Sequence, residues 1–196
     1  MGIYQFGQSV SRMFLSTSYK VEVVGKENIP KDGATILCCN HIHNFDPPLL
    51  GAYINRQLHY MAKQELFEMP ILKGLLPKLG AFPVRRGMSD KQAIRTAMKL
   101  LKEGHMIGLF PEGTRSKDGK VGKGLSGAGF FALRTDSTVI PCAIIGPYKS
   151  FRPLKLVYGE AIDFSELREQ KASAEEATEL IMSEIRQLIE KHSIMP

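Results

Sequence analysis

The sequence predicts an α/β fold in which helices pack around a mixed, mostly parallel central sheet. Apolar runs of strand length alternate with helix-length amphipathic segments along the whole chain. Some runs, such as residues 34–39 and 106–110, are apolar at nearly every position, which is typical of strands buried on both faces. A length of 196 residues is enough for one domain with a sizeable core. We therefore expect a single domain over residues 1–196.

The N-terminal half begins with a predicted short amphipathic helix over residues 2–15. Its apolar residues recur every three or four positions and share one face; they are Ile3, Phe6, Val10, Met13 and Phe14. Strands are then predicted over residues 21–24, 33–39 and 58–62. Helical segments are predicted over residues 47–55 and, in pieces broken at Pro70 and Pro77, over residues 63–80.

The C-terminal half continues the alternation. Ser89 or Asp90 is expected to cap a helix that ends near Glu103. A loop is predicted over the Gly-, Lys- and Ser-rich residues 111–126, and strands over residues 106–110, 139–145 and 154–158. Helices are predicted over residues 127–134 and 174–192, the second with a clear apolar face.

Charge and cysteine content narrow the class of protein. The net charge of +6 and the pI of about 9.2 favour an anionic partner, such as a membrane surface or a phosphorylated molecule. We expect no nucleic-acid partner, because the basic clusters are interleaved with glycine rather than with stacking aromatic residues, and tryptophan is absent. The three cysteines lie in apolar runs without CxxC spacing, so they are predicted to be buried thiols.

The sequence contains no predicted membrane span or signal peptide. No stretch approaches the roughly 20 apolar residues that cross a bilayer. Residues 1–20 are too polar and irregular for the apolar core of a signal peptide. We therefore expect an intracellular protein.

Residues 40–48 (NHIHNFDPP) contain the strongest candidates for catalytic side chains in the sequence. They follow the apolar run 34–39, so His41 is expected at the carboxyl edge of a strand, where α/β sheets bind ligands. Asp46 is predicted to cap the next helix, with Pro47 in its first turn. The short loop between them is able to bring His41 and Asp46 together, and a carboxylate beside an imidazole makes a general base.

These residues alone leave two other interpretations open. In one, Asp46 only caps the helix and His41 only fills the turn. In the other, His41, His43 and Asp46 bind a metal, although no further cluster offers the third or fourth ligand that zinc takes. We rank metal last and expect no metal site, with His43 a loop residue.

Two further segments are candidates for anion binding. The loop after the strand 106–110 combines glycines with Glu112, Thr114, Arg115 and Ser116. Turn N–H groups, an arginine fork and a hydroxyl are able to hold a phosphate together, but the loop lacks P-loop spacing. The second segment, residues 80–87 (GAFPVRRG), contains the pair Arg85 and Arg86. Each segment taken singly is also compatible with a solvated basic turn.

The three segments, in this order, resemble the sequence blocks of the glycerolipid acyltransferase family. Asn40 and His41 followed by Asp46 resemble its N-H-x4-D motif, and residues 110–116 (FPEGTRS) match its third block without a mismatch. Residues 80–86 resemble the second block, whose arginine is placed at Arg86, and residues 139–141 (VIP) resemble the fourth. The resemblance spans residues 34–146 and is closest to bacterial 1-acyl-glycerol-3-phosphate acyltransferases.

This resemblance implies transfer of a fatty acyl group from an acyl-CoA or acyl carrier protein thioester to the sn-2 hydroxyl of 1-acyl-glycerol-3-phosphate (lysophosphatidate), giving phosphatidate. His41 would take the hydroxyl proton while Asp46 holds the imidazole; no acyl-enzyme and no cofactor are expected, and no Gly-x-Ser-x-Gly elbow occurs. The implied acceptor phosphate site contains Arg86, Glu112, Gly113, Thr114 and Arg115. Lys123 is a candidate for a further anion contact. Glu112 is expected to pair with an arginine or to meet the glycerol hydroxyls.

A lipid acceptor predicts a peripheral position at the cytoplasmic face of the cell membrane, on an anionic surface. The apolar stripe of residues 2–15 is interpreted as part of an interfacial helix within residues 1–20; a helix packed on the core or on a second subunit is the alternative. Residues 66–79 are a candidate second membrane contact, an acyl tunnel or core. The competing functions are acyl transfer to glycerol-3-phosphate or another lysolipid, a non-catalytic phospholipid-binding module and, more distantly, a metal hydrolase.

Overall fold

A computed structural model describes residues 2–85, 90–116 and 118–193 of the chain. In this part of the chain a seven-stranded sheet has the order β1-β7-β6-β2-β5-β3-β4. Its strands are β1 (Lys20–Val24), β2 (Thr35–Cys39), β3 (Leu58–Lys63), β4 (Ala81–Val84), β5 (Met106–Leu109), β6 (Thr138–Ile145) and β7 (Pro153–Tyr158). All neighbouring strands run parallel except β6 and β7. The predicted fold class, a mixed and mostly parallel sheet surrounded by helices, is confirmed.

Helices connect the strands and cover the sheet. They are α1 (Ile3–Ser18), α2 (Asp46–Ala52), α3 (Pro70–Leu75), α4 (Lys91–Lys102), α5 (Gly127–Arg134), α6 (Ser165–Glu169) and α7 (Ala174–His192). Short 3-10 turns occur at Lys26–Asn28, Gln64–Phe67 and Pro77–Leu79. Asp90 caps α4 as predicted, because its carboxylate accepts the N–H groups of Gln92 and Ala93 at 3.0 and 3.1 Å. Ser89 lies outside the described residues.

The sheet separates two apolar cores, which explains why β2 is buried at every position and apolar at four of its five positions. Leu37 and Cys39 of β2 point to the face covered by α1 and α2. Ile36 and Cys38 point to the opposite face, covered by α4, α5 and α7. Alternate residues of a strand point to opposite faces of its sheet, so a strand that is buried on both faces is apolar almost throughout. Thr35 is the polar exception in β2, and its hydroxyl donates to the Gly33 carbonyl at 3.2 Å.

Helix α1 turns its apolar stripe away from the body of the protein. The stripe residues are between 43 and 65 % exposed; they are Ile3, Phe6, Val10, Met13 and Phe14. The other face holds the helix in place, since the Tyr4 hydroxyl accepts the Leu58 N–H at 2.8 Å and the Gln8 amide donates to two main-chain carbonyls near α2. The helix therefore packs on the core, through Leu15 and the face opposite to the stripe, whereas the stripe itself does not. Within the described residues, no helix combines the length and the apolarity needed to cross a membrane.

The pairing register of the strands places the carboxyl ends of β2 and β5 at the same edge of the sheet. Cys38 of β2 pairs with Leu109 of β5 on one side and with Pro141 of β6 on the other. The residues that follow β2 and β5 therefore emerge side by side. This juxtaposition brings the segment after β2, which contains His41, against the loop after β5, which contains Glu112.

Candidate active site

His41 lies two residues beyond the end of β2, with its ring against the carboxylate of Asp46. The distance from His41 Nδ1 to Asp46 Oδ2 is 2.7 Å, and the two residues are 7 and 0 % exposed. An ionised carboxylate only accepts hydrogen bonds, so Nδ1 carries the proton of this bond. The other ring nitrogen, Nε2, is then the neutral acceptor, as a general base requires.

Asp46 organises the loop that precedes it. Besides the ring of His41, its Oδ2 accepts the main-chain N–H groups of Ile42 and His43 at 2.7 and 2.6 Å. The predicted N-cap role of Asp46 is wrong: it is the first residue of α2, Phe45 precedes it, and its side chain makes no capping bond. The carboxylate reaches back to the loop instead of forward to the helix, and this places it beside the imidazole.

His41 is also fixed through its main chain and the face of its ring. Its N–H donates to Glu112 Oε1 at 2.9 Å, and its carbonyl accepts the Ser116 N–H at 2.8 Å. The ring stacks on Phe110 with 4.3 Å between centroids. The loop after β5 therefore holds the position of the histidine.

Glu112 accepts hydrogen bonds from the main chain around this loop and does not pair with a described arginine. It is buried, and its second oxygen, Oε2, accepts the Gly122 N–H at 2.8 Å. Both oxygens thus accept main-chain N–H groups, and no arginine pairs with Glu112 in the described part of the chain. Among the described residues the expected arginine partner is therefore not observed; Arg86 lies outside them.

The other predicted anion-binding residues in the described part of the chain belong to the loop after β5. Gly113 has φ +67°, and a Cβ there would lie 2.5 Å from Leu125 Cδ1, so the tight turn after Glu112 requires glycine. Thr114, Arg115 and Lys123 are exposed, and none of them has a hydrogen bond or ion pair with a described residue. Arg86 lies outside the described residues. The binding roles of these residues stay predictions.

His41 lines two cavities that lie on opposite faces of the sheet. The α4 cavity, about 460 Å³, is bounded by apolar residues that include Ala93, Ile94, Leu109 and Phe131. The α1 cavity, about 510 Å³, lies between α1, α2 and the segment 62–79, and its lining includes Ser11, Pro48, Leu79 and Arg115. A residue just beyond the end of a central strand is accessible from both faces, and His41 therefore joins the two cavities.

Tyr148 belongs to the site, but the sequence did not reveal it. Its hydroxyl donates to Asp46 Oδ1 at 2.7 Å, and its ring stacks on His43 with 4.2 Å between centroids. Burial, together with the neighbouring Asp46 carboxylate, raises the pKa of Tyr148 far above its usual range, so the hydroxyl stays a donor. The residue follows β6 by three positions and matches no motif spacing, so only the fold places it beside Asp46.

Asn40 and His43 have structural partners. The Asn40 amide accepts from the Ile144 N–H at 2.8 Å and donates to the Ile144 carbonyl at 3.0 Å, so it joins the end of β2 to β6. The ring of His43 packs on Tyr148 and accepts the Phe45 N–H at 3.3 Å. Across the described ranges no group of three His, Cys, Asp or Glu side chains has the arrangement of a metal site.

The fold and the His41–Asp46 pair define an α/β enzyme with a buried histidine–carboxylate dyad at the carboxyl edge of its sheet. The family model described as Acyltransferase matches residues 20–145, which include the dyad and the loop after β5. The chain belongs to this acyltransferase family.

Individual relatives agree with this assignment. The chain is 35 % identical to a 1-acyl-sn-glycerol-3-phosphate acyltransferase of Bacillus subtilis, over 96 % of this chain and 98 % of that one. It is 30 % identical to the chloroplastic LPAT1 of Arabidopsis thaliana, over 74 % of this chain but only 42 % of that protein. The crystal structure of PlsC, the 1-acyl-sn-glycerophosphate acyltransferase of Thermotoga maritima, aligns with a TM-score of 0.76 at 27 % identity, over 98 % of this chain and 79 % of that one.

Proposed function

We propose that this acyltransferase forms phosphatidate, by moving a fatty acyl group from a thioester donor to the sn-2 hydroxyl of 1-acyl-glycerol-3-phosphate with His41 as general base. The acceptor is the one in the names of the Bacillus subtilis and Arabidopsis relatives. The donor is an acyl-CoA or an acyl carrier protein thioester. The observation that carries the proposal is the His41–Asp46 dyad at the junction of two cavities, in which Nε2 makes no hydrogen bond to a described residue.

The proposed step is a direct transfer with one proton moved through His41. Nε2 takes the proton of the sn-2 hydroxyl as that oxygen attacks the thioester carbonyl, and Asp46 stabilises the imidazolium that forms. The carbon–sulfur bond then breaks, and the imidazolium returns the proton to the departing thiolate. The enzyme recovers its starting protonation state, and no acyl-enzyme is formed.

The two cavities suit two different substrates. The α4 cavity is lined mainly by apolar side chains and is assigned to the acyl chain of the donor. The α1 cavity combines apolar residues with Arg115 and is assigned to the acceptor. The Arg115 guanidinium has no ion pair with a described residue, so it is available for the acceptor phosphate, with Thr114 beside it on the loop. Arg86 and Lys123 remain proposed contacts, and Glu112 is assigned to loop support.

The acceptor cavity opens beside the apolar surface that we assign to the membrane. The exposed stripe of α1 flanks this cavity on one side. On the other side lie four exposed apolar residues of the segment 66–75: Leu66, Met69, Ile71 and Leu75. A surface of this kind binds lipid at the interface without spanning the bilayer. We propose that the chain is one domain, attached peripherally to an anionic membrane at its cytoplasmic face.

A product assay tests the proposed reaction. Purified protein receives lysophosphatidate and glycerol-3-phosphate together, with palmitoyl-CoA or palmitoyl-acyl carrier protein in separate runs, and products are identified by mass spectrometry. We expect phosphatidate, and a fall of about 100- to 10,000-fold in rate for His41→Ala. Lysophosphatidate made from glycerol-3-phosphate would assign the acceptor differently. Binding to lipid vesicles with no product from any donor would favour a non-catalytic module.

Vesicle binding tests the membrane surface separately. Phe6→Ser removes an exposed phenylalanine of the α1 stripe, and Leu125→Ser removes a similarly exposed leucine from the opposite side of the sheet. Burying one such side chain contributes about 1.5–3 kcal/mol, so Phe6→Ser is expected to weaken binding to anionic vesicles by about tenfold or more. Equal loss in both variants would contradict the assignment of α1 to the membrane.

A further inference from the structure

Helix α4 presents a row of four exposed cations, Lys91, Arg95, Lys99 and Lys102. Successive members are three or four residues apart, so they lie along one side of the helix. The helix contains no acidic residue. Within the described residues only Lys99 has an ion pair, a long 3.8 Å contact with Glu103. We name this set the cationic row.

Helix stability does not account for the first half of the row. Cations favour the C-terminal end of a helix, so Lys99 and Lys102 in the last turn complement the helix dipole. Lys91 stands at the first position of α4, where the dipole disfavours a cation. Like charges one turn apart, as in Lys91, Arg95 and Lys99, also repel each other. A partner with negative charge would offset this repulsion.

The cationic row lies beside the cavity assigned to the donor. Ala93 and Ile94, which line the α4 cavity together with His41, stand between Lys91 and Arg95 in the sequence. The row therefore lies on the outer surface of the helix whose inner surface forms the cavity wall. An anionic carrier bound to the row would sit next to the space that its acyl chain enters.

The row and the membrane surface lie on opposite faces of the sheet. Helix α4 packs in the core with Ile36 and Cys38, whereas α1 packs in the core with Leu37 and Cys39. A bilayer that contacts the α1 stripe is thus separated from the row by the sheet. This arrangement favours an anionic partner that approaches from water.

The geometry points to an acidic acyl carrier protein as that partner. This inference rests on the proposed function and specifies the donor: we propose that the carrier docks on the cationic row and delivers its thioester arm to the α4 cavity. The row extends about 16 Å, at about 1.5 Å per helical residue. Charges spread over such a length match the acidic face of a protein helix better than a compact cluster of phosphates.

Charge reversal next to the cavity tests the inference. Lys91→Glu with Arg95→Glu reverses the half of the row that helix stability does not explain. Lys31→Glu with Lys191→Glu is the control, because it makes the same change in net charge at exposed sites outside both cavities. Each protein is assayed with lysophosphatidate and either palmitoyl-acyl carrier protein or palmitoyl-CoA, at low and raised salt.

The expected result is specific to the carrier protein. We expect kcat/KM with the acyl carrier protein to fall by about tenfold or more in the row variant, mostly through KM, and to lose its salt dependence. With palmitoyl-CoA the row variant should stay within about twofold of the wild type, as should the control variant with both donors. Equal loss with both donors, or no loss with either, would overturn the inference.

Two further outcomes separate the inference from the proposed function. If the wild type is active with palmitoyl-CoA but not with palmitoyl-acyl carrier protein, the inferred docking surface is wrong and the proposed reaction still holds. If the wild type uses neither donor, the proposed reaction is wrong. Docking is then tested by measuring the binding of a carrier protein that bears palmitate through an amide instead of a thioester. Binding that is lost only in the row variant upholds the surface. Loss of binding to anionic vesicles in the row variant would assign the row to the membrane and overturn the carrier.

Discussion

Replacing Tyr148 with phenylalanine removes one hydroxyl from the proposed dyad and leaves the ring that stacks on His43. This hydroxyl donates to Asp46 Oδ1, whereas the bonds from His41 and from the loop N–H groups reach Oδ2. We infer that Tyr148 is a positioning residue, which acts on the proton acceptor through Asp46. Its raised pKa keeps the hydroxyl protonated across the working range of the enzyme, so the bond itself does not titrate there.

The magnitude follows from the burial of Asp46. The residue is 0 % exposed, and Oδ1 has no other hydrogen-bond partner among the described residues, so the variant leaves a buried charged acceptor unsatisfied. A hydrogen bond to a charged group contributes about 1.5–3 kcal/mol. For a chain of this size that loss lowers Tm by about 3–12 °C. If the transition state loses a similar amount, kcat falls by about tenfold or more.

The split between kcat and KM distinguishes positioning from simple destabilisation. A residue that acts only by orienting the proton acceptor should lower kcat in Tyr148→Phe and leave KM within about twofold of the wild-type value, at a temperature where the variant is fully folded. Tyr19→Phe is the matched control, since Tyr19 touches the Tyr148 ring and its hydroxyl has no hydrogen bond with a described residue. A kcat near the wild-type value in folded Tyr148→Phe would refute the assigned role.

Four other outcomes are expected. Glu112→Gln places an amide N–H against one of two main-chain donors, so the free energy of unfolding should fall by about 1–3 kcal/mol, measured by calorimetry. The turnover number kcat should fall as well, because this loop holds His41 in position. An unchanged kcat would show that the loop does not position the base. Gly129→Ala should destabilise by at least about 1–3 kcal/mol in urea, because the new Cβ would lie 2.0 Å from the Ala174 carbonyl oxygen; wild-type stability would contradict the close packing of α5 on α7. Burial raises the pKa of Cys38 to about 12, so alkylation near neutral pH should be slow until the protein is denatured; rapid labelling of the native protein would contradict this burial. Direct transfer requires both substrates to be bound together, so double-reciprocal plots should intersect, and parallel lines would indicate an acyl-enzyme.

Much of the fold could be predicted because its elements are strongly patterned. The strands of the two-sided core are continuous apolar runs, and α7 has an apolar face throughout. The missed elements are short: α6 has five residues, and the turn Lys26–Asn28 has three. Helices of this length bury too few side chains to show a period. Strand order was not predicted, since it depends on contacts between residues far apart in the sequence.

The site was predictable to the extent that local sequence encodes it. His41 and Asp46 are separated by one tight loop, so their pairing could be inferred from spacing. Glu112 was predicted in the acceptor phosphate site, and its contact with the main chain of His41 was not predicted, because two main-chain N–H groups carry no signature in the sequence. Tyr148 approaches Asp46 across 102 positions of the chain. Only the order of β6 beside β2 brings such a residue into contact with the dyad.

In the proposed reaction, the position of β2 explains how one histidine would serve two dissimilar substrates. β2 lies between β5 and β6, so the residue that follows it has open space above and below the sheet rather than at one side only. A lipid acceptor entering beside α1 and a thioester entering beside α4 would meet at His41 from opposite faces, and neither needs to leave before the other binds. The apolar stripe and the cationic row follow the same division, one on each side of the sheet. In the proposed reaction, the sheet thus separates the side on which the acceptor enters from the membrane from the side on which the donor enters from water. The dyad at the edge of the sheet contacts both substrates.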